Sequence, residues 1–281
     1  MSREMLKSLI DLIDDKKDIE TLYQVVLRFI PEDKALPDEI EAILQANQSI
    51  RENGTVSYDT IEKGYKLCVQ PARVDRYTDD EFRKMLKMFS ELNPYAIYIV
   101  DSWGTQNNEQ ILHYVSIADE ILDNEVAIGY HGHNNMMQAF GNAVEFTRKQ
   151  YERDIIVDAS IYGIGRGAGN LNTEIFAKYM NEQYHKEYDI TPMIRLYELY
   201  IKDIYEQHMW GYCIPYFLTA KYNCNPNYGE YYGLVKKLSA TDIENILKMI
   251  PAEDRVLYSK KKAEDYLNEY SKHAAFGGRD E

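Results

Sequence analysis

Two histidines separated by one residue are the part of this sequence best suited to chemistry. His131 and His133 stand near the end of an apolar run in residues 126–134, which is typical of a buried β-strand. Side chains alternate faces along a strand, so both imidazoles are expected to project to one side and to hold a divalent metal ion together. The alternative is that the pair only caps the polar end of the strand.

The sequence around this pair alternates short apolar runs with amphipathic segments. The runs cover residues 66–69, 96–104, 126–134 and 154–165, and a helical pattern follows each of them. Four such βα units predict an α/β fold with a parallel sheet whose strands are covered on both faces. At the C-terminal mouth of a barrel built this way, side chains from several strands converge, which is where both histidines are expected.

Three regions are expected along the chain. Residues 1–61 have a helical pattern, residues 62–190 carry the βα units, and residues 191–281 read as a C-terminal helical region. Thr191-Pro192 suits the cap and first turn of a helix. The tyrosine-rich stretch 210–232 is expected to be irregular.

Motifs on three consecutive runs carry a family resemblance. They are IYIVDSWG before Thr105, IGYHGHNN around the two histidines, and VDASIYGIGRGAGN ending at Asn170. In this order and spacing they resemble the DRE-TIM metallolyase superfamily of HMG-CoA lyase-like barrels, and most closely the 4-hydroxy-2-oxovalerate aldolases. The resemblance covers residues 62–267 and implies the last four βα units of a TIM-type (β/α) barrel.

The resemblance also implies which residues form the site. His131 and His133 become metal ligands and Asn170 a third candidate, with Mn²⁺ or Mg²⁺ as the ion, whereas chemistry alone also allows Co²⁺ or Zn²⁺. Ser102 is expected where the aldolases hold the pyruvate carboxylate, beside Asp101. The reaction implied is cleavage of a 4-hydroxy-2-oxo acid through a pyruvate enolate, which makes a small 2-oxo acid the expected partner.

Three further assignments have alternatives. Asp101 and Asp158 are expected either to orient ligands or to accept hydrogen bonds from strand-end amides. Arg166 could pair with a substrate anion or be a solvated loop residue. The segment WGYCIPYFLTA from Trp210 resembles an aldolase segment with an active-site tyrosine, which makes Tyr212 the candidate catalytic tyrosine, with Tyr216 as its competitor and core packing as the alternative for both.

One family motif is missing from the sequence. The superfamily begins with a strand carrying Asp-Arg-[Glu/Asp/Gly], whose Asp is a metal ligand, and no such motif stands here. Residues 1–61 take the place of the first four βα units and have a short resemblance to an antitoxin-type module. A second chain or a second copy could complete the barrel. Otherwise, the chain is an inactive barrel remnant fused to a binding module.

Composition excludes several other classes of function. A net charge of −14 disfavours nucleic-acid binding, which needs a positive face. There is no apolar run of the roughly 18 residues that cross a bilayer, and the start of the sequence lacks the features of a secretory signal. A cytoplasmic protein with reduced thiols at its three cysteines is therefore expected.

Overall fold

The computed structural model describes residues 66–277 of the chain. The chain divides into two compact units: one spans Tyr65–Val256, and the other combines Met1–Gly64 with Leu257–Glu281. The helical pattern and the antitoxin resemblance of residues 1–61 lie outside the described residues. The expected three-part division of the chain stays a prediction.

The larger unit alternates strands and helices before it becomes wholly helical. Its strands are β1 (Cys68–Val69), β2 (Ala96–Asp101), β3 (Ala127–Gly132) and β4 (Ile155–Val157). Its α-helices are α1 (Asp79–Ser90), α2 (Asn108–Ile121), α3 (Ala139–Arg148), α4 (Thr173–Tyr184), α5 (Thr191–Leu196), α6 (Lys202–Gln207), α7 (Ile214–Lys221), α8 (Pro226–Gly229) and α9 (Ala240–Met249). The smaller unit contributes α10 (Lys260–Gly277). Among the helices described, none is both long and apolar enough to span a membrane.

The four strands form one parallel sheet in the order β1-β2-β3-β4. Each strand therefore lies beside the strand that follows it in sequence, with Val100 opposite His131 and Asp101 opposite Gly132. Within the described residues, β1 and β4 each pair on one side only, as the end strands of a barrel segment do. The predicted α/β fold with a partial barrel is confirmed.

The two faces of the sheet have different neighbours. Ile97, Ile99, Ile128 and Tyr130 are fully buried in the main core, which they share with apolar residues of α1, α2 and α3, including Phe82, Val115 and Phe146. Alternate residues Ala96, Tyr98, Val100 and Ala127 form a separate apolar cluster on the other face. Because side chains alternate along a strand, His131 belongs to this second face.

Local sequence signals place the helix starts accurately where a capping box is present. The Thr78 hydroxyl accepts from the Glu81 amide and the Glu81 carboxylate accepts from the Thr78 amide, which forms a capping box before α1. Asn107 and Gln110 do the same for α2. The expectation at Thr191-Pro192 is wrong by one residue, because α5 begins at Thr191 itself and Ile190 occupies the cap position.

Most of the stretch 210–232 is helical, so the prediction of irregular structure is wrong for residues 214–221 and 226–232. It contains α7, α8 and the start of a π-helical segment, Glu230–Val235. Pro215 stands in the first turn of α7, where its missing N–H costs nothing. Tyr228 and Tyr232 are fully buried, so the tyrosines that obscured the helical periodicity supply the packing for these helices.

A buried arginine closes the C-terminal end of α2. The Arg153 side chain, 1% exposed, pairs with Asp119. It also donates to the backbone carbonyls of Asp119, Leu122, Asp123 and Val126 at 2.8–3.1 Å. Carbonyls at a helix end have no partner within the helix, and Arg153 satisfies them where water is excluded.

Gly104 and Gly141 are expected to respond to alanine with opposite signs. Gly104 has a φ of +59°, and a Cβ there would lie 2.6 Å from the Asn135 nitrogen and 2.7 Å from the His133 oxygen. Gly104→Ala should therefore lower the free energy of unfolding by about 1–3 kcal/mol. Gly141 lies in α3 with open space around the same position, so Gly141→Ala should raise it by about 0.5–1 kcal/mol.

Chemical denaturation of both variants measures this difference. Equal effects of the two substitutions would show that the contact between Gly104 and the backbone after β3 does not constrain the loop that follows His133.

Candidate metal centre

His131 is held by a carboxylate from the neighbouring strand. Its Nδ1 atom lies 3.0 Å from the Oδ2 atom of Asp158, which directly follows β4. The side chains of His131 and Asp158 are 23% and 31% exposed. The contact is therefore partly shielded from solvent, and it fixes the orientation of the ring.

His133 is held by a backbone group instead. Its Nδ1 atom lies 2.7 Å from the carbonyl oxygen of Asp101 at the end of β2. A carbonyl can only accept, so Nδ1 carries the hydrogen and Nε2 is unprotonated in the neutral ring. Burial lowers the pKa of His133. The Asp101 carbonyl opposes this shift, and the charges of His131 and Arg166 add to it.

The two rings lie side by side with their Nε2 atoms available. The ring centroids are 5.0 Å apart, and in the described part of the chain neither Nε2 atom forms a hydrogen bond. Histidines that bind metals usually donate their other ring nitrogen to a carboxylate or a carbonyl. His131 has a carboxylate partner and His133 has a carbonyl partner.

Asn170 comes from the loop after β4 and lies next to His133. The two residues form an antiparallel backbone bridge, and the Asn134 side chain donates to the Asn170 carbonyl at 2.7 Å. The Asn170 Nδ2 atom donates to the Ile164 carbonyl at 3.0 Å. This hydrogen bond engages the amide nitrogen and leaves the Oδ1 atom as a possible ligand.

The donor set fits a divalent ion in part. Two neutral imidazoles and one amide oxygen suit Mn²⁺ or Mg²⁺ only when oxygen ligands complete the shell. No group of three or more His, Cys, Asp or Glu side chains that could hold an ion occurs among the residues that the structure describes. An ion held by these residues would take any anionic ligand from outside the described part of the chain or from the substrate.

Sequence reasoning missed two residues that support Asp158. The Gln70 amide donates to the Asp158 carboxylate at 3.0 Å, and the buried Tyr98 lies beside the same carboxylate. Burial raises the pKa of Asp158. The hydrogen bonds from His131, Tyr98 and Gln70 outweigh this effect, so the pKa lies below its usual value. Asp158 is thus an ionised partner for His131.

Gly129 allows Tyr98 to lie across the neighbouring strand. A Cβ at Gly129 would come within 2.4 Å of the Tyr98 ring. The absence of a side chain on β3 therefore gives Tyr98 its path toward Asp158. The useful signal in the sequence is this glycine in the middle of an otherwise apolar strand.

Asp101 supports the site through its backbone, while its carboxylate turns back into the protein. The carboxylate accepts from the backbone amides of Thr105 at 2.9 Å and Gln106 at 3.2 Å, and the residue is 1% exposed. Burial raises the pKa of Asp101 to about 7 although both amides favour the charged form. The alternative considered from the sequence, a strand-end carboxylate bonded to amides, describes this side chain.

Ser102 lies beside an arginine that the sequence did not single out. The Ser102 hydroxyl accepts from the Arg73 backbone amide at 2.9 Å, which leaves the hydroxyl hydrogen free to donate. The Arg73 guanidinium stacks 3.3 Å from the centroid of the Trp103 ring and forms a two-point pair with Asp75. Its charge is therefore already neutralised. Its position just after β1 was the available signal.

Arg166 keeps an uncompensated charge near the histidines. Its guanidinium donates to the neutral Asn227 side chain and forms no ion pair within the described residues. It is close enough to lower the pKa of His133. Arg166 is thus a positively charged side chain with which an anionic substrate could pair.

The two candidate tyrosines differ in exposure. Tyr212 is 51% exposed, whereas Tyr216 is 5% exposed and its ring lies against Gly167. Burial and the charge of Glu230 raise the pKa of Tyr216 to about 12. Of the pair, Tyr212 is the one accessible to a substrate, and Tyr216 packs against Gly167.

Comparison with known proteins agrees with this arrangement of motifs. The family model described as HMGL-like matches residues 38–200, which is more than half of the chain. A 4-hydroxy-2-oxovalerate aldolase from Desulfitobacterium hafniense is 35% identical over 114 residues, covering 41% of this chain and 31% of that protein. An oxaloacetate decarboxylase from Mycobacterium tuberculosis is 28% identical over 123 residues, covering 44% and 35%.

A solved structure supports the fold. The N-terminal domain of a candidate aldolase from Bacteroides vulgatus is similar with a TM-score of 0.53 at 22% identity, over 64% of this chain and 61% of that one. The matched part spans about a third of the length of the two curated relatives. The resemblance found in the motifs is confirmed: this chain belongs to the HMGL-like family.

Proposed function

We propose that this protein is a metal-dependent carbon–carbon lyase of the aldolase type, acting on a 4-hydroxy-2-oxo acid. The observation that carries the proposal is the pair of imidazoles, each with Nδ1 bonded to a hydrogen-bond acceptor and Nε2 available. Relatives named 4-hydroxy-2-oxovalerate aldolase add the substrate class. The chain spans only part of those relatives, so its competence depends on a ligand beyond the described residues.

His131, His133 and Asn170 would hold the ion, which, when bound, supplies a Lewis acid for the 2-oxo group of the substrate. Mn²⁺ or Mg²⁺ suits these ligands once oxygen atoms complete the shell. Asp158 and the Asp101 carbonyl keep the two rings oriented.

The chain's other residues would bind the substrate. The Ser102 hydroxyl can donate to the substrate carboxylate, and Arg166 offers a charge that no carboxylate of the described residues neutralises. In the cleavage, the bond between C3 and C4 breaks as the C4 hydroxyl loses its proton. The electron pair passes to C3, which is then protonated to give pyruvate, and C4 leaves as an aldehyde. Tyr212 is the candidate for the proton transfer, because its hydroxyl is accessible and forms no hydrogen bond within the described residues.

Release of pyruvate from 4-hydroxy-2-oxopentanoate tests the proposal. The full chain with Mn²⁺ should release pyruvate, detected by coupled reduction with NADH, and His131→Ala should release none above background. No release by the wild-type chain, or equal release by the variant, would contradict the proposal. No release by the wild-type chain would favour the alternative of a catalytically inactive barrel remnant fused to a binding module, whereas equal release by the variant would exclude His131 from the active site.

A further inference from the structure

A pocket of about 200 Å³ opens next to the proposed ligand Asn170. Asn134, which directly follows His133 and bonds to the Asn170 carbonyl, forms part of its wall. Both residues stand after the C-terminal ends of strands, where substrates bind in barrels of this kind. The pocket is therefore adjacent to the candidate metal centre: Asn170 belongs to both, and Asn134 is the residue after His133.

Four aromatic side chains give the pocket its character: Tyr162, Tyr205, Trp210 and Tyr212. The rings of Tyr162 and Tyr205 are 5.1 Å apart, and those of Tyr205 and Trp210 are 4.9 Å apart, both edge to face. The Trp210 indole N–H donates to the Tyr162 carbonyl at 2.9 Å. These contacts hold three of the four rings in fixed positions before any ligand binds.

The wall carries no charge. Every residue that lines the pocket is neutral, being aromatic, amide, glycine, alanine or methionine. A carboxylate inside the pocket would lose its hydration without gaining a partner of opposite charge from the wall. The Tyr205 and Tyr212 hydroxyls form no hydrogen bond within the described residues, so they can bond to an uncharged polar atom of a ligand.

The size limits the ligand further. Pockets that enclose drug-sized molecules measure roughly 300–1,000 Å³, so this one suits a single ring or a short chain. Aromatic walls favour a flat ligand, because rings gain most from stacked or edge-to-face contacts.

We infer that this pocket receives the C4 substituent of the substrate, and that this substituent is an uncharged planar group such as an aromatic ring. The inference rests on the aldolase function proposed above and names the aldehyde half of the substrate. The charged end of the substrate would then lie toward Ser102 and Arg166, and the group in the pocket would leave attached to the aldehyde carbon.

A titration with benzyl alcohol, monitored through the NMR signals of the two tryptophan indole N–H groups, tests ligand binding in the pocket without any turnover. Trp210 lines the pocket, whereas Trp103 stacks on Arg73 and serves as an internal control. The Trp210 signal, assigned with Trp210→Phe, should shift saturably while the Trp103 signal stays in place. Benzoate, which adds a charge to the same ring, should bind at least about tenfold more weakly.

Tyr205→Ala and Tyr200→Ala form a matched pair for this titration. Tyr205 contributes a wall of the pocket, and Tyr200 is a 61% exposed tyrosine of the same helical stretch that does not line it. Tyr205→Ala should weaken benzyl alcohol binding about fivefold, and Tyr200→Ala should leave it unchanged. An unmoved Trp210 signal, equal binding of benzoate, or equal binding by Tyr205→Ala would overturn the inference.

A turnover measurement separates this inference from the proposed function. Pyruvate release from 4-hydroxy-2-oxo-4-phenylbutanoate should fall about fivefold in kcat/KM in Tyr205→Ala, and by a smaller factor from 4-hydroxy-2-oxobutanoate, which has no C4 substituent to contact Tyr205. A loss of both activities to the same degree would contradict a role for Tyr205 in recognising the ring. If the wild-type chain releases pyruvate from neither substrate, the lyase function is contradicted. The NMR titration then shows by itself whether the pocket binds an uncharged ring.

Discussion

Replacing His131 with alanine is expected to weaken Mn²⁺ binding by about 100-fold or more. Loss of a group that only orients a ligand typically costs 10–100-fold in metal affinity, and loss of the ligand itself should cost at least as much. The same result is expected for His133→Ala, because the Nε2 atoms of both rings are available. Isothermal titration calorimetry of the full chain with Mn²⁺ measures the change.

His113→Ala is the control for this measurement. His113 is a 51% exposed histidine on α2 that pairs with Asp79, and its removal should leave Mn²⁺ affinity as it is in the wild-type chain. Wild-type binding in the micromolar range or tighter would show that a further ligand completes the site. Unchanged affinity in both His131→Ala and His133→Ala would exclude the metal centre described above.

Replacing Arg153 with alanine is expected to lower the free energy of unfolding by about 3–5 kcal/mol. The substitution removes the Arg153 donor from the Asp119 and Leu122 carbonyls at the end of α2. Among the described residues, Asp119 then keeps Lys149 as its ion-pair partner. Burial raises the pKa of Asp119, but Lys149 and Arg153 lower it more, so the net shift is downward. A carboxylate with a lowered folded-state pKa stabilises the fold above its unfolded pKa, and this contribution is lost as pH falls. The difference between wild type and variant should therefore shrink in acid.

Arg148→Ala provides the comparison for Arg153→Ala. Arg148 is a 58% exposed arginine that pairs with Glu145 within α3, and exposed pairs add little to stability. Urea denaturation at neutral pH should separate Arg153→Ala clearly from both the wild type and Arg148→Ala. Coincident transitions for the two variants would mean that water can replace Arg153 at the end of α2.

The alternation of elements could be predicted from the sequence because the patterns were strong. β2 is apolar up to its last residue, Asp101, and all six of its residues are buried. The capping box at Thr78 and Glu81 marks the start of α1. Short-range signals of this kind depend on neighbours in the chain, so no knowledge of the tertiary structure was needed.

The helices between residues 210 and 232 could not be predicted for the opposite reason. Their aromatic residues are buried by contacts with distant parts of the chain, as at Tyr228, whose hydroxyl donates to the Asp254 carbonyl at 2.8 Å. Tyrosines spaced this closely show no apolar stripe. Tertiary packing therefore decides the structure of this stretch.

The proposed metal ligands of the candidate site could be predicted from the sequence, whereas the residues that hold their partners in place could not. His131, His133 and Asn170 follow from motifs, and the structure brings them together. Tyr98, by contrast, looks like an ordinary apolar strand residue. Its position beside Asp158 depends on the missing side chain of Gly129 on the next strand, a relation between two strands that no local pattern records.

The consecutive order of the strands has a consequence for how the candidate metal centre assembles during folding. Cys68 pairs with Ala96, Ala96 with Ala127, and Ile128 with Ile155, so each pairing closes a short loop and the sheet can grow by one unit at a time. His131 on β3 and His133 just after it gain their full set of partners only when the chain that follows β4 brings Asp158 and Asn170. A bound ion would stabilise only the complete arrangement of ligands. It would therefore make local unfolding of the fourth βα unit less favourable.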